Sequence, residues 1–239
     1  MKKLSASRGL VEDLVAASRI LAMHEVLDAY GHVSARSDRR PGRFIISRSL
    51  APALVSAADL MELDADSEPL PRDKRKGFIE RYIHGEIYRA RPEVMAVVHS
   101  HSASVLPFGA TRTRLRPIYH MGSFLWAGAP VFDIRKERQA NDLLIRDREL
   151  GAALAGSLGA CSCVLMRGHG MTVVGESVPE AVFRAVYTEM NARLQLQATQ
   201  LEGPIEFLSD EEGRRATASN RGTLERPWEL WKKRALARK

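Results

Sequence analysis

Three histidines and one glutamate have types and spacings suited to holding a divalent metal ion and moving a proton beside it. His99 and His101 are separated by one residue, at the end of the apolar run Val97-Val98. Alternate side chains of a strand share a face, so the two imidazoles point the same way and can chelate one ion. Taken alone, such a pair serves equally as a polar strand end. His169 adds a third imidazole, in the turn Arg167-Gly168-His169-Gly170 after a second apolar run. Its flanking glycines let the backbone turn sharply and approach a ligand or another strand. An exposed turn residue is the ordinary alternative. Glu80 sits near the start of a helical stretch, with His84 one turn later, beside an expected buried stripe of Ile79, Ile83 and Ile87. A glutamate there can ligate a metal, carry a proton, or stand in solvent. Spacing alone does not choose between them.

The elements that must position these residues follow from periodicity and breakers. Helical spacing over 10–27 places Leu10, Leu14, Ala17, Leu21 and Val26 near one stripe, ended by Tyr30-Gly31. Two short strands, 32–37 and 43–47, flank the turn Asp38-Arg39-Arg40-Pro41-Gly42 and predict a hairpin. Residues 50–76 read as mostly irregular, with Pro52, Pro69, Pro71 and a charged run over 72–76. A helix is expected over 78–90, stopped by Arg91-Pro92, then a buried strand over 94–99. A helix can start within 101–106, 118–125 is ambiguous, and 129–134 reads as a short strand. A helix over 141–158 ends at Gly159, and strands follow at 162–166 and 171–174. The long helix 179–200 opens with Pro179 in its first turn and the capping-box spacing of Ser177 and Glu180. Residues 202–239 read as a basic, polar tail with a short helix at 227–239, where Trp228 and Trp231 are spaced for docking. The expected organisation is one catalytic domain over 1–201 and this tail, in an α/β class with antiparallel strand pairs flanked by helices.

Composition narrows the functional classes. The net charge is +7, with basic excess around 36–48, 112–116 and the C-terminal end. No zinc-finger spacing, aromatic RNA-binding pattern or phosphate loop accompanies it, so no nucleic-acid partner is expected. A basic surface or a site for anionic small molecules accounts for the charge. No run of eighteen apolar residues predicts a membrane span, and Met1-Lys2-Lys3-Leu4 leads into no apolar signal segment. Cys161 and Cys163 lie two apart on one face of a strand, a poor geometry for a disulfide and a weak case for a second metal site. A reduced, cytoplasmic setting is expected.

Four segments, in order, resemble the class II aldolase/adducin family over roughly residues 8 to 200. They are Gly31-His32-Val33-Ser34-Ala35-Arg36, the stretch from Glu80 to His84-Gly85-Glu86-Ile87-Tyr88, Val97-Val98-His99-Ser100-His101-Ser102, and Arg167-Gly168-His169-Gly170. The resemblance implies a three-layer α/β/α domain around a largely antiparallel sheet, and usually a tetramer with sites at subunit contacts. It implies that His99, His101 and His169 bind one divalent metal per subunit, with Glu80 as ligand or general acid/base. Zinc, manganese, iron and cobalt all suit three imidazoles. Adducin-type members lack the full histidine set, which is complete here and points to an enzyme rather than a scaffold.

Members acting on sugar phosphates carry small donors that cradle a phosphate. Here Gly31-His32, Ser47-Arg48-Ser49-Leu50 and Phe78-Ile79 stand in those places. Phe78 and Ile79 have no side-chain donor, so a non-phosphorylated substrate is expected. Arg48 offers a fork for a carboxylate, with Ser49 beside it, and His32 can donate to an oxyanion. Arg116, Tyr119 and His120 add a cation, a phenol and an imidazole, although Arg48 and Arg116 are equally at home as surface charge. The runs Phe44-Ile45-Ile46-Ser47-Arg48-Ser49-Leu50-Ala51-Pro52 and Tyr119-His120-Met121 are similar to a decarboxylase branch acting on hydroxylated aromatic or pyridine dicarboxylates. The expectation is a metal-dependent carbon–carbon lyase acting on a small carboxylate. Glu80, His32 and Tyr119 are its catalytic candidates, and Arg48, Ser49, Arg116 and His120 its substrate-binding ones. An aldolase for hydroxy-oxo acids, an iron-dependent oxygenase and a non-catalytic scaffold remain as alternatives.

Overall fold

The strand at His32–Arg36 shows how the sheet separates its two faces. Val33 and Ala35 turn into one hydrophobic layer, while the alternate His32 and Ser34 turn toward the other. In the computed structural model, which describes residues 4–71 and 73–237, this strand (β1) lies near the middle of a seven-stranded sheet. Its companions are β2 (Phe44–Ser47), β3 (Leu60–Leu63), β4 (Ala96–Ser100), β5 (Val131–Phe132), β6 (Cys163–Met166) and β7 (Gly170–Gly175). The order is β3-β2-β1-β4-β7-β6-β5, antiparallel except for the β5–β6 pair. Helices α1 (Arg8–Met23), α5 (Val178–Ala198) and α7 (Glu225–Ala237) bury their apolar residues against Val33, Ile45, Val98 and Val173. Helices α2 (Arg81–Ala90) and α4 (Arg148–Leu158) cover the other face, over Phe44, Ile46, Val97, Val164 and Val174. This is the expected α/β/α layering. Two further helices, α3 (Leu106–Ala110) and α6 (Asp210–Arg221), complete the set.

Several boundaries differ from the sequence expectation, each for a local reason. The first helix is capped by Ser7, whose side chain accepts from the Leu10 N–H, and it ends at His24 before Glu25 takes a left-handed backbone. Val26 is buried, but beyond the helix. The stretch 50–76 contains β3, which hides because Leu60, Met61, Glu62 and Leu63 are all buried and show no alternation; Glu62 is paired with Arg43. The second helix starts at Arg81 with Glu80 as its N-cap residue, and Ile79 is 44% exposed rather than part of the buried stripe. Asp147 caps α4, so its helix starts at Arg148 and 141–147 is irregular. The 101–106 segment reaches a helix only at Leu106, and 118–125 falls mostly in the 3-10 turn His120–Ala127. Ser177 caps α5 as expected, but Glu180 reaches the Glu176 N–H instead of closing the box. Helix α6 was not anticipated, although Ser209 and Glu212 form a full capping box.

The C-terminal segment packs on the body. Trp228 and Trp231 join the α1/α5 core, with Trp231 edge-on to His24 at 4.8 Å, and Lys232 pairs with Glu12 and Asp13 of α1. Arg72 of the charged run and the last two residues of the expected C-terminal helix lie outside the described residues. Cys161 and Cys163 are both free thiols. No helix among the described residues is long and apolar enough to cross a membrane.

Candidate metal centre

Register across the sheet sets the site. His32 pairs with His99, and His99 with Thr172, so these three side chains stand in one row on the α2/α4 face. Arg48 directly follows the end of β2, past the last β1–β2 pair, Ser34↔Ile46. His101 follows the end of β4, and His169 sits in the turn that reverses β6 into β7. Gly170 lets this turn close: a Cβ there would collide with the Ser100 carbonyl, so a larger residue would push β7 off β4 just where the H-x-H leaves the sheet. Gly31 does the same for the strand bearing His32, since it takes φ +83° and a Cβ would meet the His99 carbonyl oxygen at 2.8 Å.

The ligand atoms of Glu80, His99, His101 and His169 all lie within 4.8 Å of one another. His169 Nε2 is 3.1 Å from His101 Nε2, and Glu80 Oε2 is 3.4 Å from His169 Nε2 and 3.5 Å from His99 Nε2. Ligands about 2.1 Å from a common ion are separated by roughly 3.0–3.4 Å across octahedral or tetrahedral edges. The spacings therefore fit a single divalent ion. His99 Nε2 is a buried ring nitrogen with no hydrogen-bond partner, a state that costs free energy unless a ligand completes it.

Three of these four side chains are held from behind. His169 Nδ1 donates to the Leu143 carbonyl at 2.7 Å, leaving its Nε2 lone pair toward the cluster. His99 Nδ1 lies 3.3 Å from Thr172 Oγ1, whose hydrogen goes to the Met166 sulfur, so the Thr172 oxygen accepts from His99. Glu80 Oε1 accepts from the Ile145 N–H at 3.0 Å, which leaves Oε2 to face the histidines. Leu143 takes φ +69°, a strained conformation for a branched side chain, and its carbonyl is the one that orients His169. Burial opposes the charge on Glu80, but His99 and His169 outweigh it and hold the carboxyl well below the usual range. Burial, then neighbouring His99 and His169, push His101 down to about 4. His169 goes the other way: burial lowers it, but its contact with Glu80 raises it overall.

Around this cluster stand the other expected site residues. His32 is buried, its ring 5.2 Å from that of His99 and 4.3 Å from that of Phe78. The exposed Tyr30 ring lies 6.2 Å from His101. Arg48 gives its Nε to Asp59 at 2.7 Å, and Ser49 is exposed. The remaining three are held against α5 and α6 instead. Tyr119 packs on Tyr187 with its hydroxyl buried and unpartnered, His120 gives its carbonyl to Asn220, and the Arg116 guanidinium lies over Phe207. A cavity of about 960 Å³ opens beside β3, lined by residues such as Arg8, Val11, Leu60 and Lys74, but none of the histidines lines it. Sequence reasoning missed the Leu143 carbonyl, the Ile145 N–H and Thr172. The first two are backbone groups and carry no residue-type signal.

Residues 12–196 match the family described as Class II Aldolase and Adducin N-terminal domain. Decarboxylase tropJ of Talaromyces stipitatus is 43% identical over 244 residues, covering 92% of this chain and 92% of that protein. A 3,4-dihydroxyphthalate decarboxylase of Terrabacter sp. is 34% identical, covering 83% of this chain and 84% of its own. Among solved structures, an L-fuculose 1-phosphate aldolase from Glaciozyma antarctica superposes with a TM-score of 0.78 at 20% identity, over 95% of this chain and 88% of that one. At that identity the likeness speaks for the fold alone.

Proposed function

The chain belongs to the class II aldolase and adducin family, and on that premise we propose that it is a divalent-metal-dependent carbon–carbon lyase. It removes a carboxyl group from a non-phosphorylated, hydroxylated aromatic or heteroaromatic carboxylate. The observation that carries this reading is the convergence of three imidazoles and Glu80 beside side chains that cannot cradle a phosphate. Phe78 and Ile79 present a ring and an aliphatic surface there, with Phe78 against His32. The named decarboxylases among the relatives support the same reaction class.

When bound, a divalent ion supplies Lewis-acid stabilisation for the electron pair left as a carbon–carbon bond breaks. His99, His101 and His169 hold it as neutral donors, so its full positive charge is available. Glu80 is an anion, turned by Ile145 so that Oε2 alone faces the reacting region. There it either ligates or, as a base, takes the proton of the substrate hydroxyl and returns it to the carbon that the carboxyl group leaves. Arg48 follows the end of β2, and its terminal amines offer a fork to a second carboxylate while Asp59 fixes its Nε. Ser49 borders the same end of β2. The assembly proposed is a homotetramer, in which Tyr119, Arg116 and His120 would serve the site of a neighbouring copy.

The test loads purified protein with zinc, manganese, iron or cobalt and supplies a panel of ortho-hydroxy aromatic and pyridine carboxylates. Carbon dioxide release from at least one is the expected result. No release across the panel, with cleavage of a 4-hydroxy-2-oxo acid instead, overturns decarboxylation in favour of aldol chemistry.

A further inference from the structure

Behind His32 a row of buried polar groups runs away from the metal centre into the layer under α2. His32 Nδ1 is 2.6 Å from His84 Nε2. His84 Nδ1 is 2.6 Å from Ser34 Oγ, and Ser34 Oγ is 2.7 Å from the Tyr88 hydroxyl. His84 and Ser34 are fully buried, and His32 and Tyr88 nearly so. The α2 residues are one turn apart, at 84 and 88, and the β1 residues two apart, at 32 and 34, so helix and strand mesh as a zipper. The metal centre as described uses neither His84 nor Tyr88.

The direction of the hydrogens in this chain is decided at its inner end. Among the described residues, the hydrogen-bond partner of the Tyr88 hydroxyl is Ser34 Oγ. The phenol hydrogen therefore goes to Ser34 or to nothing. A phenol hydrogen left unpaired in a buried layer is the costly alternative. With Tyr88 donating, the Ser34 hydrogen goes to His84 Nδ1. His84 then carries its single hydrogen on Nε2 and donates it to His32 Nδ1. His32 is left with its hydrogen on Nε2.

We propose that Tyr88, Ser34 and His84 form a one-way hydrogen-bond chain that locks His32 as an Nε2–H donor beside the metal centre. His32 then binds an anionic oxygen of the substrate. It is neither a fourth imidazole ligand nor a general base, because both roles need the Nε2 lone pair that this tautomer lacks. The chain holds protons rather than passing them. Burial pushes the Tyr88 phenol far up and His84 down to about 3, so neither gives a stable ion that a transfer along the chain would require. His84, Ser34 and Tyr88 are thus positioning residues. The identity of the bound oxygen, a carboxylate or phenolate of the substrate, rests on the function proposed above; the tautomer does not.

The experiment uses zinc-loaded protein labelled with ¹⁵N-histidine. Long-range proton–nitrogen correlation spectra show which ring nitrogen bears hydrogen, and the His32 signals are assigned by their loss in His32→Gln. The expected result is hydrogen on His32 Nε2, and a mixture of tautomers in Tyr88→Phe with metal content unchanged. Hydrogen on His32 Nδ1 in the native protein, or an unaltered tautomer in Tyr88→Phe, overturns the lock. With an active substrate, Tyr88→Phe is expected to lower kcat about tenfold with little change in KM, as a donor to charge developing in the transition state would. Native protein that shows the expected tautomer yet releases no carbon dioxide overturns the decarboxylase reading and leaves the lock standing.

Discussion

Glu80 divides its two oxygens between tasks, one fixed to the Ile145 N–H and one turned to the histidines. Glu80→Gln keeps an oxygen for Ile145 but puts a neutral amide where the anion stood. It is expected to fold normally and to lose activity by about 10²–10⁴-fold, the usual contribution of a positioned acid/base group, checked by single-turnover carbon dioxide release. His99→Ala removes the buried nitrogen that has no hydrogen-bond partner. Its expected signature is loss of stoichiometric metal after dialysis, by elemental analysis, with the far-UV dichroism unchanged; full retention would mean His99 is no ligand. The four-residue cluster was legible because imidazoles and carboxylates announce their chemistry by type and spacing. His84 was visible only as a neighbour of Glu80, since nothing in a sequence shows that β1 and α2 face each other. Arg116, Tyr119 and His120 share a segment and plausible chemistry with the site. Their packing on α5 and α6 came from tertiary contacts that spacing does not encode.

At the level of elements, the turn between β6 and β7 must approach β4 closely, and Gly170 permits it. Gly170→Ala is expected to separate the strands near Ser100, misplacing His101 against His169. Calorimetry should show metal affinity falling at least tenfold, more than overall stability suffers. Helix α7 is anchored by Trp231, 7% exposed between His24 and Tyr187. Trp231→Ala should lower unfolding free energy by about 3 kcal/mol, the range for emptying a large aromatic from a core, read from urea midpoints. Strands with alternating or β-branched runs were readable, as were helices with a capping serine such as α5. Strand β3 was not, because a fully buried strand with one paired glutamate has no period to detect. The start of α4 was missed for a related reason. Residues 141–147 carry helical spacing, but Asp147 caps the helix there and the segment before it holds the site instead.

For the whole molecule, a wholly buried neutral His84 makes stability depend on acid. Its folded pKa, about 3, is below the unfolded value of 6.5, so its contribution is complete above 6.5 and is eroded as pH falls toward 3. Unfolded chains bind the proton first in that window. At pH 5 this group alone is expected to cost about 2 kcal/mol relative to pH 7.5, and denaturant midpoints across that range measure it. His84→Gln should lessen the slope, with His32 and His101, lowered by burial in the same way, keeping the rest; an equally steep curve would place the titration elsewhere.

One short stretch connects these scales. The Leu143 carbonyl and the Ile145 N–H, two residues apart on one piece of backbone, set the angles of His169 and Glu80 respectively. Main-chain groups, unlike side chains, survive almost any point substitution. The stretch therefore behaves as a ruler whose length matters more than its letters. Leu144 between them should accept exchange with little consequence, whereas deleting or inserting a single residue there would swing a donor and an acceptor out of phase at once. Divergence that keeps this spacing can vary the rim freely, and a length change in this loop is the event most able to silence the centre while His99, His101, His169 and Glu80 are all still present.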